Sequence, residues 1–153
     1  MATLTDAVID AVALAHYFQG TLPRVAQQTF DSAEAGHSTL FVPEIALGEF
    51  VYTALRGRLR VPVPDRTLRE LIDQIRASGY LKLSSLGPSG WGIFLDLDVR
   101  ELHDRMIAAD ALSRGVPLVT NDPDLSRVPG LTVIWRRRSM APTRPSSPGP
   151  DGR

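Results

Sequence analysis

Cysteine is absent from the 153 residues, which removes disulfides, thiolate nucleophiles and most patterns of zinc ligation together. Any metal must therefore rest on oxygen ligands or on His. Lysine is nearly absent too. Lys82 is the only one and the other cations are Arg, a bias that genomic base composition explains as readily as any demand for bidentate phosphate contacts. No stretch approaches the roughly 18 uninterrupted apolar residues of a membrane span, and the N-terminus lacks a basic region, apolar run and cleavage site in succession. A cytoplasmic protein is expected. Net charge is lacking as well: Lys+Arg 17 against Asp+Glu 17 gives a formal zero, so no global field points to nucleic acid. Positive charge is local, at Arg56, Arg58 and Arg60 and again at Arg136, Arg137 and Arg138.

What is present suits a single globular domain. The chain is 43% apolar, and its length fits one core of ordinary size. The domain is expected over residues 1–138, followed by a disordered Pro/Ser/Gly/Arg-rich tail over 139–153 with little to bury. No internal repeat is visible. Ala7-Val8-Ile9 reads as a short strand buried on both faces, with a helix after Asp10. A second helix is framed by Pro23 and Gly36. Thr39 to Val42 follow as a strand, and a helix from about Glu44 to Arg56 after that. Leu68, Leu71, Ile72 and Ile75 mark an amphipathic helix, with Asp65 as its capping candidate and Gly79 as its stop. Tyr80 to Leu83 read as a third strand and Ser84 to Gly90 as a loop. A short apolar helix is expected around Trp91 to Leu95, and a longer one from near Asp104 to Gly115. Val116 to Thr120 and Leu131 to Trp135 complete the strands, joined by a turn at Asp122-Pro123-Asp124. Strands alternating with helices imply a parallel α/β sheet covered on both faces, with ligands at the carboxyl ends of the strands.

Four carboxylates interrupt this pattern. The helix holding Ile45, Ala46, Leu47, Phe50, Val51, Tyr52, Ala54 and Leu55 is apolar nearly all round, so Glu49 in its middle is expected to be buried. No cation stands at helical spacing to offset it. A metal is one remedy, and a side chain reaching the rim is the other. Asp10 ends the first strand, at the ligand-binding end, and capping of the next helix accounts for it equally well. Asp104 shares a helix face with Ile107, Ala108 and Ala111, with capping as the simpler single-residue account. Asp122 follows the fourth strand, where a turn-forming role before Pro123 suffices. Asp110 is left out of the set, because Arg114 four residues on makes a surface ion pair the plain reading. Jointly the four acids would converge on one edge of the sheet. Two carboxylates about 4 Å apart repel by roughly 4 kcal/mol at an effective dielectric of 20, so such a cluster protonates or binds a hard cation, Mg²⁺ or Mn²⁺.

The segments Val8-Ile9-Asp10-Ala11, Val42-Pro43-Glu44-Ile45-Ala46-Leu47-Gly48-Glu49, Leu102-His103-Asp104-Arg105-Met106-Ile107-Ala108-Ala109 and Leu118-Val119-Thr120-Asn121-Asp122 occur in an order that resembles the PIN-domain family. The resemblance covers about Ala7 to Trp135 and is nearest to VapC-type toxins. It implies a three-layer α/β/α domain around a mostly parallel sheet of about five short strands. By position, Asp10, Glu49, Asp104 and Asp122 look like the acidic quartet that holds Mg²⁺ or Mn²⁺, and Thr120 like the hydroxyl residue that orients the last acid or a metal-bound water. The implied activity is endonucleolytic cleavage of RNA, and the implied partners are a small antitoxin and a second copy of the chain. One position departs from the pattern: Val12 stands where the family often has Ser, Thr or Asn.

Other readings stay open. A PIN nuclease of RNA maturation outside any toxin system would carry the same centre, and a PIN-fold binding module would cleave nothing. The basic stretch Arg56 to Arg60 could hold phosphates, face an acidic patch on a partner, or simply be solvated. Trp91 and Phe94 could stack bases, although packing explains them more simply. His16, His37 and His103 are scattered and none is assigned to the site, His103 being the one placed to contact Asp104. There is no Walker-type loop, no His-Glu-x-x-His and no nucleophile elbow.

Overall fold

The computed structural model describes residues 5–136. Arg137, Arg138 and the expected tail over 139–153 lie outside the described residues. Five strands form one sheet in the order β3-β2-β1-β4-β5, every pairing parallel. They are β1 (Ala7–Ile9), β2 (Leu40–Pro43), β3 (Leu81–Ser84), β4 (Leu118–Val119) and β5 (Val133–Ile134). The helices are α1 (Ala11–Gln19), α2 (Arg24–Glu34), α3 (Glu44–Leu55), α4 (Asp65–Ala77), α5 (Pro88–Asp96) and α6 (Leu102–Arg114), with a 3₁₀ turn at Leu125–Arg127.

Alternation along the strands sorts the core into two halves, since successive side chains point to opposite faces of a sheet. Ala7, Ile9, Leu40, Val42 and Val119 face one half, where they meet Leu14 of α1, Phe30 of α2, Phe50 of α3 and Leu71 of α4. Val8 and Leu118 face the other, against Ile107, Ala108 and Ala111 of α6 and Leu125 beyond β4. Each large side chain removed from water in this way contributes about 1.5–3 kcal/mol before entropy is counted. On α6 the residues against this face are small, Ala108 and Ala111 beside Ile107. Gly115 ends α6 in the left-handed region at φ 65°, and its N–H bonds the carbonyls of Ala111 and Leu112, a conformation that costs an L side chain and not glycine.

The topology decides where a ligand can sit. From β1 the chain goes through α1 and α2 to β2 on one side, whereas β4 lies on β1's other side, with Val8 opposite Leu118 and Ile9 opposite Val119. The sheet order therefore reverses between β1 and β4. Such a switch point leaves a crevice at the carboxyl ends of the two strands.

Several local expectations are corrected. The helix after the Gly/Pro/Ser segment begins at Pro88, not Trp91, because Pro fits the first helical position with its missing N–H. Asp65 does not cap α4. Pro64 stands at that position, and Asp65 instead pairs with Arg69 at 2.7 Å. The most consequential correction is Asp110, which is no surface residue. It is 3% exposed, accepts a 2.6 Å bond from the Ser84 hydroxyl and a 2.8 Å bond from Arg114 Nε, and ties the end of β3 to α6. Arg114 in turn lies over the Phe41 ring, 4.3 Å from its centroid.

Candidate metal centre at the sheet switch point

Asp10 leaves β1 and Thr120 leaves β4, so both stand at the mouth of the crevice. Their backbones still belong to the sheet: Asp10 N–H bonds the Val119 carbonyl at 3.3 Å, and Thr120 N–H the Ile134 carbonyl at 3.3 Å. Asp10 is 6% exposed. Its Oδ1 caps α1 by accepting from Ala13 N–H at 2.8 Å, so the capping account of this residue is correct. The cap also fixes the direction of the carboxylate. Asp122 behaves similarly, since Oδ1 accepts from Asp124 N–H at 2.8 Å and forms the turn expected before Pro123. Thr120 acts on both. Its hydroxyl is fully buried, accepts from Asp122 N–H at 3.1 Å and opposes the rise in the Asp10 pKa.

Asp104 reaches the same crevice from α6. It is not the cap of that helix: Glu101 is, accepting from Asp104 N–H at 2.7 Å through Oε2. Asp104 therefore sits inside the first turn, half-buried, with Asp122 near enough to raise its pKa. His103 contacts Glu101, at 3.0 Å, and not Asp104. Glu49 is also corrected. It is exposed, not buried, because α3 keeps one side in solvent, with Tyr52 60% and Leu55 64% exposed. An apolar composition does not say which face of a helix is covered. Glu49 nevertheless lies close enough for its charge to act on Asp10.

The electrostatics tie these residues into one cluster. Burial is the largest influence on Asp10 and raises its pKa to about 6, against the opposing bonds from Thr120 and Ala13 and with added repulsion from Glu49 and Asp122. Asp104 is likewise raised to about 6, by burial first and then by Glu101, Asp122 and Asp10. Among the described residues neither acid has an ion-pair partner. Glu101 is the acid that sequence reasoning missed, and the only signal for it was the acidic run Asp96, Asp98 and Glu101 ahead of α6.

The donor chemistry fits a hard divalent cation. All the groups are carboxylate or hydroxyl oxygens, the set that Mg²⁺ and Mn²⁺ prefer. Among the described residues no three His, Asp or Glu side chains stand close enough together to hold one metal ion.

A family model described as PIN domain matches residues 7–131, spanning all four acids. The chain belongs to the PIN-domain family. No curated protein matches its sequence. Among solved structures, this PIN domain is similar to DNA-bound VapBC from Salmonella typhimurium, with 19% identity and a TM-score of 0.63 over 85% of this chain and 97% of that one. It is similar also to VapBC2 from Rickettsia felis bound to a fragment of promoter DNA, with 15% identity and a TM-score of 0.62 over 86% and 99%. FitAcB from Neisseria gonorrhoeae follows, with 12% identity and a TM-score of 0.56 over 83% and 95%. At these identities the likeness is one of fold. The three-layer architecture and the parallel sheet of five strands expected from the sequence are those observed.

Proposed function

We propose that this PIN domain is a Mg²⁺- or Mn²⁺-dependent endoribonuclease, that Asp10, Glu49, Asp104 and Asp122 hold the metal, and that it is the toxin of a toxin–antitoxin pair of the VapBC type. The reading is carried by the placement of Asp10 and Asp104 beside other carboxylates, which together with burial raise each to about 6, with no ion-pair partner for either among the described residues. Buried like charges kept together against their own repulsion are what a metal-binding nuclease centre requires.

When bound, the metal supplies charge for the developing oxyanion and lowers the pKa of the attacking water. The chain's own contribution is positioning. The α1 cap locks Asp10 in direction, and the Thr120 hydroxyl, accepting from Asp122 N–H, sets the turn that presents the last acid. Glu49, on the exposed side of α3, is the fourth acid of the proposed set, supported by its charge acting on Asp10. With no cysteine in the chain and the Thr120 hydroxyl fully buried under the Asp122 turn, attack by water, not by a side chain, is the fitting route.

An antitoxin, a second copy of the chain and a cytoplasmic location belong to the same reading. Exposed Tyr52, Leu55 and Val61, and on the other side Trp91 and Leu95, are apolar surface that a protein partner would cover. Among the described residues no helix is long and apolar enough to cross a membrane. Trp91 and Phe94 pack edge to face at 5.0 Å, with Arg105 over Phe94, so packing rather than base stacking occupies Phe94. The deciding experiment is cleavage of a broad RNA panel by purified, partner-free protein with Mg²⁺ or Mn²⁺. Activity that EDTA removes and Asp10→Asn abolishes is expected, and activity unchanged in Asp10→Asn would overturn the assignment.

A further inference from the structure

Two grooves flank the acid cluster, and they differ in sign. One, of about 440 Å³, lies between the outer faces of α1 and α3 and the segment after α3. Glu49 is its single carboxylate, Arg58 and Arg60 are its arginines, and Val12, Leu59 and Val61 form part of its apolar floor. The other, of about 810 Å³, lies on the Asp104 side. Its lining holds Asp96, Asp98, Glu101, Asp104 and Asp124 against only Arg100 and Arg127, and Arg127 is already drawn to Asp124 at 3.5 Å.

The arginines of the first groove are uncommitted. Arg56 is bonded to the Tyr52 hydroxyl at 2.9 Å and lies over its ring. Arg66, Arg69 and Arg114 are paired with carboxylates, and Arg105 donates to the carbonyls of Phe94 and Leu95. Arg58 and Arg60 are exposed and, among the described residues, have no side-chain ion pair. They line a groove together with Glu49, whose charge acts on Asp10.

We propose that single-stranded RNA runs to the acid cluster through this groove alone, with Arg58 and Arg60 holding backbone phosphates next to the scissile one and with Val12 and Val61 against the sugars. Phosphates position a strand through cations without reading its sequence, and the acidic lining of the Asp104-side groove repels the same backbone. Val12 thereby acquires a role: 39% exposed, it offers apolar contact where a polar side chain is common. The proposal rests on the ribonuclease reading, and its test is chosen to fail separately from it.

The test uses the Asp10→Asn full-length chain and a mixed-sequence single-stranded 20-nucleotide RNA, with binding followed by fluorescence anisotropy across a salt series. Adding Arg58→Ala and Arg60→Ala is expected to weaken binding about tenfold and to reduce the slope of log K against log salt by roughly 1.4, two phosphate contacts on a single strand. Arg24→Ala with Arg76→Ala, which removes the same charge from α2 and α4, is expected to change the slope by less than half as much. Equal loss in both pairs, or no loss in the first, overturns the groove while leaving RNA cleavage by the unmodified protein to stand on its own measurement. Arg58/Arg60-dependent binding of a poly-glutamate peptide with RNA binding unchanged would also overturn it, and would put an acidic protein segment there instead. Arginine-dependent RNA binding by a protein that cleaves nothing would uphold the groove and sink only the nuclease reading.

Discussion

Asp104 and Asp110 lie on the same helix, both draw toward the core, and only one belongs to the candidate centre. Asp110 is the more buried, yet Ser84 and Arg114 satisfy both its oxygens, so its charge is compensated inside the fold. Asp104 has other carboxylates for neighbours, Glu101, Asp122 and Asp10, and its pKa rises to about 6. Burial alone therefore does not mark a functional acid. A buried acid with a cation is structure, and a crowded acid without one is a site waiting for charge from outside.

The largest effect that would test this contrast is on catalysis. Asp104→Asn is expected to lower RNA cleavage by about a thousandfold or more, the scale of losing a group that acts in the transition state, whereas Asp110→Asn should leave cleavage per folded molecule within a few fold. Single-turnover rates on one RNA, corrected for folded fraction, compare them, and equal losses would erase the distinction. Next in size is stability. Asp110→Ala strands Arg114 and the Ser84 hydroxyl and should cost about 2–3 kcal/mol in urea unfolding, discounted from a fully buried pair because Arg114 is partly exposed. Asp104→Ala should cost little or even stabilise the metal-free protein.

Thr120→Val sharpens the same comparison at lower amplitude. Removing the hydroxyl that holds the Asp122 turn should reduce metal affinity or activity about 10- to 100-fold, as loss of supporting contacts around metal ligands does. Thr120→Ser should recover most of it, which Mg²⁺ titration by calorimetry would measure. The smallest effect is on pH dependence. Asp10 is raised from 3.8 to about 6, so the folded metal-free protein holds its proton where the unfolded chain has released it. The corresponding stability is complete below about pH 4 and is lost as pH rises through 6. Between pH 7.5 and pH 5, thermal unfolding without metal should show about 1 kcal/mol gained from Asp10, with a smaller gain of the same sign from the more exposed Asp104. Asp10→Asn should flatten the profile and Mg²⁺ should reverse it. A metal-free protein that loses stability over that range would contradict the pKa direction.

Much of the architecture was legible in the residues. The apolar triplet Ala7-Val8-Ile9, the Pro and Gly punctuation, and the alternation of strands with helices were local signals, and the elements form within a few residues of where those signals put them. The acids were legible as interruptions of apolar pattern. Two readings failed for the same physical reason: the partner lies far away in sequence. The apolar composition of its helix puts Glu49 inside, but exposure of Tyr52 and Leu55 depends on which elements pack on α3. Arg114 four residues on points to a surface pair for Asp110, while the structure buries it against Ser84, 26 residues away on β3. Capping was ambiguous for Asp10 and Asp104 alike. The structure gives the cap of α1 to Asp10 and that of α6 to Glu101, a choice between neighbours that depends on where each helix is cut off by packing.

By itself, then, the sequence determined the elements, their order and the parallel sheet that follows, because hydrophobic period and turn chemistry act over a few residues. It also limited the site to oxygen ligands, since there is no cysteine to offer sulfur. Only the tertiary structure decided which acids share a space. The reversal of strand order between β1 and β4 brings Asp10 and Thr120 side by side across more than a hundred residues of chain. Whether an acid meets an arginine or another acid there is a matter of through-space distance, the quantity that electrostatic energy follows and that a linear sequence does not contain.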